Sequence, residues 1–163
     1  MKTLYLMRHA KSSWSFDDLT DKERPLNDRG RDDAPQMGQA LAKRNIHLDL
    51  MVSSPAVRAM STAALVAHEV DYPPARIEVI EGIYRAEVLD LLAIVRGLPD
   101  AADSVLLLGH NNTITDFANL LSPSQLNEMP TAAIVCLKFG CDHWAEVDRA
   151  NAEFYFYDYP RKQ

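Results

Sequence analysis

The chain has 163 residues, 47% of them hydrophobic and 25% charged, proportions that suit one domain with a core of its own. A formal net charge of -6 disfavours nucleic acid or an anionic membrane as the main partner, because both call for clustered cations, and no apolar stretch is long enough to span a bilayer. Cys136 and Cys141 fit no metal-ligand spacing and are too few for a disulfide framework; read as reduced thiols, with no apolar leader before the first strand, they make the cytoplasm the expected location.

The apolar run at residues 4–7 predicts a buried strand, and Arg8, His9 and Ala10 follow at its C-terminal end. Residues 12–25 are polar and irregular, a loop. Asn27 and Asp28 are good N-cap types before a helix over about 29–44, with Ala34, Met37, Ala40 and Leu41 as its apolar stripe. Residues 48–52 read as a second strand, ended by Ser53-Ser54-Pro55, and Pro55 suits the opening of a helix that runs to about Glu69. After the break at Tyr72-Pro73-Pro74 come a short strand over 77–80 and a helix over 88–96, closed by Gly97. The most apolar strand covers 105–108, with Gly109 and His110 behind it, and a helix follows over 114–121. Residues 132–139 and 153–157 read as late strands with no helix between them, so an antiparallel pair at a sheet edge is expected. The aromatic tail at 154–159 alternates as a strand and reads as core. Strands alternating with helices predict a single α/β domain over 1–163: a three-layer α/β/α sandwich around a mostly parallel sheet.

In such folds sites form beyond the C-terminal ends of the strands. Arg8 and His9 follow the first strand, Ser53, Ser54 and Arg58 the second, and His110 the apolar strand. Two arginines can fork one phosphoryl dianion, and their charge helps keep a neighbouring imidazole neutral and able to attack phosphorus. Each residue alone has a plainer reading: a part-buried histidine, a solvated arginine, a turn cap. Their joint placement at three strand ends points to a phosphoryl-transfer site.

Four segments carry a resemblance. Leu6-Met7-Arg8-His9-Ala10-Lys11-Ser12 resembles the Arg-His-Gly signature of the histidine phosphatase superfamily. Arg24-Pro25-Leu26-Asn27-Asp28-Arg29-Gly30 is similar to its Leu-Thr-x-x-Gly segment. Residues 52–63 resemble Ser-Ser-Pro-x-x-Arg-x-x-x-Thr-Ala, and Leu107-Leu108-Gly109-His110-Asn111 resembles the Gly-His segment. The matches come in family order. The resemblance implies a phosphoglycerate mutase-like fold, His9 as phosphate-accepting nucleophile, and Arg8, Arg58 and His110 as the phosphate pocket, with no metal or cofactor. The short length and the Arg-Pro-Leu run are similar to the SixA-type phosphohistidine phosphatases, which implies an uncovered site and a phosphorylated protein, such as a phosphohistidine domain, as partner. A small phosphoester is the alternative substrate, and a phosphate- or phosphoprotein-binding module without catalysis is the alternative of another class.

The sequence departs from the family pattern at two places. Ala10 stands where the superfamily has Gly, which would be strained if the backbone there needed a positive φ. Asn111 follows the second histidine where the acid phosphatase branch has an aspartate, so the proton donor is open. Glu81, in a segment similar to the mutase branch's Glu-x-x-Tyr, is the candidate, with a solvated glutamate as the alternative. Ser12 and Arg24 are further candidates for the phosphate. Lys11 and Arg85 read as surface residues, and Trp14 as a loop-anchoring hydrophobe with a substrate-facing wall as the alternative. Asp17, Asp18, Asp21 and Glu23 form an acidic loop, usually a solvated face. His47, His68 and His143 fall outside every motif.

Overall fold

The computed structural model describes residues 1–161, and its frame is one six-stranded sheet in the order β3-β2-β4-β1-β5-β6. The strands are β1 (Lys2–Arg8), β2 (Leu50–Ser53), β3 (Glu78–Val79), β4 (Ser104–Gly109), β5 (Ile134–Phe139) and β6 (Ala152–Asp158). β3, β2, β4 and β1 are parallel, whereas β5 runs antiparallel to both β1 and β6. The expected late antiparallel pair is therefore present, but it extends the sheet from β1.

Strand alternation sorts the core into two halves. Leu4, Leu6, Val52, Val105, Leu107, Val135 and Leu137 face one side. There they pack with Leu91 and Val95 of α3 (Val88–Arg96) and with Ile114 and Phe117 of α4 (Thr113–Leu121). Met7, Met51, Leu106, Leu108, Ile134 and Cys136 face the other. They meet Met37 and Leu41 of α1 (Asp28–Lys43) and Ala59, Ala63 and Val66 of α2 (Val57–Glu69). Each large aliphatic buried this way contributes about 1.5–3 kcal/mol. The expected three layers result, with helices paired on each face. The aromatic tail forms the expected strand, but its alternation is broken: a register shift between Cys136 and Leu137 puts Phe154 against one half of the core and Phe156 against the other, while Tyr155 is exposed.

The helix ends follow their capping residues. Asn27 caps α1, its side chain accepting from the Gly30 N–H at 2.9 Å. α2 begins at Val57, two residues after Pro55, because Ala56 is still extended. β3 shrinks to two exposed residues at the sheet edge, shorter than the expected strand over 77–80. The loop over 12–25 is less irregular than its composition suggests: Ser12 bridges Leu26, and Asp21–Glu23 forms a 3-10 turn capped by Thr20 and Glu23. Among the described residues no helix is long and apolar enough to cross a membrane.

Candidate active site

The C-terminal ends of β1, β2 and β4 open into a cavity of about 510 Å³. Arg8, His9, Arg58 and His110 line it together, as the strand-end argument expected. Parallel register explains the meeting: Arg8 pairs with Gly109, and Ser53 with Leu108, so the three strands end level. Thr62 ties two of the segments together. Its hydroxyl donates to the Arg58 carbonyl at 2.7 Å and accepts from the Ala10 N–H at 3.0 Å. Ala10 keeps a negative φ, so alanine carries no strain where the family has glycine.

His9 is buried beside His110, with ring centres 5.2 Å apart. Its Nδ1–H donates to the Ala10 carbonyl at 2.7 Å, which leaves Nε2 with the lone pair. Burial pushes the ring down to about 3, reinforced by His110, Arg58 and Arg8 and opposed by the bond to Ala10. His110 is pushed down to about 4, first by burial and then by Arg58, with Asp21 opposing. Both imidazoles are therefore neutral at neutral pH. His110 Nε2 meets Ser54 Oγ at 2.7 Å, and the edge of Tyr84 stands against its ring. Arg8 donates to the Met129 carbonyl at 2.8 Å, and its Nε has no partner among the described residues.

The loop over 12–25 enters the site more deeply than its polarity implied. Arg24 is buried and lines the cavity, donating to the Ser13 carbonyl, to Ser12 Oγ at 2.5 Å and to Asp21 Oδ1 at 3.0 Å. Its guanidinium carbon lies 3.2 Å over the centre of the Trp14 ring. Trp14 is 75% exposed at the cavity rim, so it forms a wall, and what ties it to the loop is the stacked Arg24 and not burial. Ser12, Lys11 and Arg85 also line the cavity, the last two as exposed residues, in keeping with their surface reading. Asp21 departs from the solvated acidic face: Arg58 donates to its carboxylate at 3.0 Å and to its carbonyl at 2.6 Å. Tyr84 donates to the same carboxylate at 2.5 Å. These bonds, that from Tyr84 above all, hold the Asp21 carboxyl well below the usual carboxylate range.

Glu81 is not brought into the site. Its side chain is 73% exposed, paired with Lys22 at 3.1 Å, and it is absent from the cavity wall. The 3-10 turn Glu81–Ile83 carries Tyr84 inward instead. His143 pairs with Asp100, and His47 and His68 also lie away from the cavity. Sequence reading missed Tyr84, Asn111 and Thr131 as lining residues and Thr62 as a support, and it placed Ser54 at the strand end without its bond to His110. Tyr84, Asn111, Ser54 and Thr62 all stand inside quoted motifs, so a signal existed for them. Thr131 had none, because only the antiparallel docking of β5 on β1 brings that segment beside Arg8.

Comparison with known proteins bears on the family and the fold. The model of the histidine phosphatase superfamily (branch 1) matches residues 4–83. An uncharacterized Mycobacterium tuberculosis protein is 30% identical over 165 residues, covering 95% of this chain and all of that one. A Nakamurella multipartitia protein assigned to the SixA phosphohistidine phosphatases is 27% identical, with a TM-score of 0.82 over 98% of this chain and 96% of that one. The protein histidine phosphatase SixA complexed with tungstate shares the fold, with a TM-score of 0.81 at 22% identity over 97% of both chains.

Proposed function

We propose that this chain, a histidine-nucleophile phosphatase that belongs to the histidine phosphatase superfamily, dephosphorylates phosphohistidine on a protein, with His9 as the attacking residue. The observation that carries the reading is the fixed tautomer of His9: with Nδ1–H committed to the Ala10 carbonyl, Nε2 presents its lone pair inside a cationic cavity. Arg8, Arg58 and His110 hold the phosphoryl oxygens, and Arg24, with Ser12 on its guanidinium, completes the cradle. Nε2 bonds to phosphorus as the bond to the leaving group breaks. Water then attacks the phosphoryl-histidine, and phosphate departs. Positioning and charge stabilisation do most of the work, as in other phosphoryl transfers.

The choice of phosphohistidine rests on the missing acid. Asp21 is the one carboxylate among the described lining residues, and its partners keep it ionised. An alkoxide leaving group needs a proton donor, whereas an imidazole whose conjugate acid has a pKa of about 6.5 needs far less help. The exposed Trp14 at the rim suits a protein surface, and the name of the tungstate-bound neighbour supports the same substrate class. A small phosphomonoester is the second reading, favoured by the number of cations: Lys11 and Arg85 add charge beyond what Arg8, Arg24 and Arg58 bring to one phosphoryl group. A cytoplasmic location belongs to the proposal and is supported by the free thiols of Cys136 and Cys141.

The test is phosphate release in the presence of chelator, from a phosphohistidine-bearing protein domain and from an aryl phosphate, for wild type and His9→Ala. The expected result is fast release from phosphohistidine, slow release from the ester and loss of both in the variant. Fast release from the ester alone would replace the protein substrate with a small one. Activity that survives His9→Ala would sink the mechanism.

A further inference from the structure

We propose that Asp21 selects the leaving group: its carboxylate, on the wall of the phosphate cavity, accepts a hydrogen bond from the ring N–H of a phosphoryl-imidazole and disfavours esters. The inference rests on the reading of His9, Arg8 and Arg58 as the phosphoryl site and adds a specificity residue to it.

Asp21 opens the 3-10 turn of the loop that overhangs the cavity, and its side chain is 53% exposed there. A carboxylate offers about four lone-pair directions. Three are taken: Arg24 Nη1 at Oδ1, and Arg58 Nη2 and Tyr84 Oη at Oδ2. One direction is left on Oδ1. Because its three partners stabilise the anion, Asp21 serves as a fixed negative charge and not as a proton donor.

The chemistry of a phosphoryl-imidazole makes such a charge useful. When the ring's second nitrogen carries a proton, the P–N bond breaks with its electron pair going to the phosphorylated nitrogen. The ring then leaves as neutral imidazole, and phosphorus is bonded to His9 Nε2. No proton moves in that step. A ring without the second proton would have to leave as imidazolide, a far more basic and poorer leaving group. A carboxylate accepting from the second N–H favours the protonated, reactive ring. The protein already makes this arrangement once, on its own nucleophile: the Ala10 carbonyl accepts from His9 Nδ1–H. That bond keeps the ring of the phosphorylated enzyme protonated, so that in the second step water displaces neutral imidazole. An aryl or alkyl ester offers no N–H and develops negative charge on its leaving oxygen, which the same carboxylate repels.

The experiment compares Asp21→Asn with wild type on two small probes, phosphoimidazole and 4-nitrophenyl phosphate, using one preparation of each protein. The ratio of kcat/KM for phosphoimidazole to that for the ester is expected to fall about tenfold, the effect of one hydrogen bond to a charged group. A ratio that stays within about threefold of wild type overturns the proposal, a threefold change being only about 0.7 kcal/mol. That holds whether both rates fall, as for a mere buttress of Arg58, or both rise, as for an anion that only competes with phosphate. Turnover of phosphoimidazole by His9→Ala would instead overturn the underlying site assignment, and the selectivity role with it.

Discussion

At the scale of the residue, the decisive property of His9 is that it stays neutral. An ordinary histidine titrates near 6.5, but burial and the neighbouring cationic groups take this ring down to about 3. In a proton NMR titration the His9 ring should therefore show no inflection between pH 5 and 8; an inflection near 6.5 would contradict the geometry. The same shift has a consequence for stability, with a definite sign. As pH falls below 6.5 the unfolded chain takes up the proton before the folded one does. The fold then loses stability toward acid, by about 1.4 kcal/mol per pH unit for a ring fully in that window. His110 adds to the loss down to about 4. The identities of these residues were legible in the sequence, since Arg8, His9, Arg58 and His110 stand in motif segments at strand ends. Their electrostatics were not. Asp21 read as one member of an acidic run, and only the folded loop sets it between Arg24 and Arg58.

At the scale of the element, the loop between β1 and α1 is the part the sequence described least well. Its polar composition was correct as a sign of irregular backbone, yet polarity does not distinguish a solvated loop from one pinned by its own side chains. The pins are Arg24 on Ser12, Ser13 and Trp14, the Ser12–Leu26 bridge, and Gly30. Gly30 lies so close to the loop that a Cβ there would stand 2.1 Å from the Lys11 carbonyl oxygen, a backbone atom that cannot swing aside. Gly30→Ala should therefore push the Lys11–Ser12 segment out of place. A loss of about 1–3 kcal/mol is expected in denaturant unfolding, typical of overpacking. A fall in phosphatase activity should accompany it, because Ser12 and Arg24 move with the segment. A stable, fully active variant would show that the loop is not held there. The Glu81 segment teaches the converse. A motif-like Glu-x-x-Tyr pointed to the glutamate, whereas the 3-10 turn delivers the tyrosine to the site and leaves the glutamate on Lys22.

At the scale of the whole molecule, the periodicity of the chain was enough to anticipate the fold. Apolar runs at 4–7 and 105–108 marked the two central strands, and strands alternating with helices implied three layers; which two helices cover each face is seen only in the structure. Strand order was not legible, because nothing local in β5 says that it pairs antiparallel with β1 instead of lying beyond β6. Lys2 shows the same limit. It reads as a polar residue before a strand, yet it is buried, donating to Asp103 at 2.8 Å and to the Asp100 carbonyl at 2.6 Å. The topology matters for function because it gathers five segments at one end of the sheet and concentrates cations there, in a chain whose net charge is -6. The central claim is that this gathering makes His9 a covalent phosphate carrier. The most direct measurement is to quench the protein with base during turnover of phosphohistidine, digest it, and locate the phosphoryl group by mass spectrometry. The predicted result is a base-stable, acid-labile phosphoryl group on His9, absent from His9→Ala. Sustained turnover with no phosphoryl group on His9, or with the group on another residue, would contradict it.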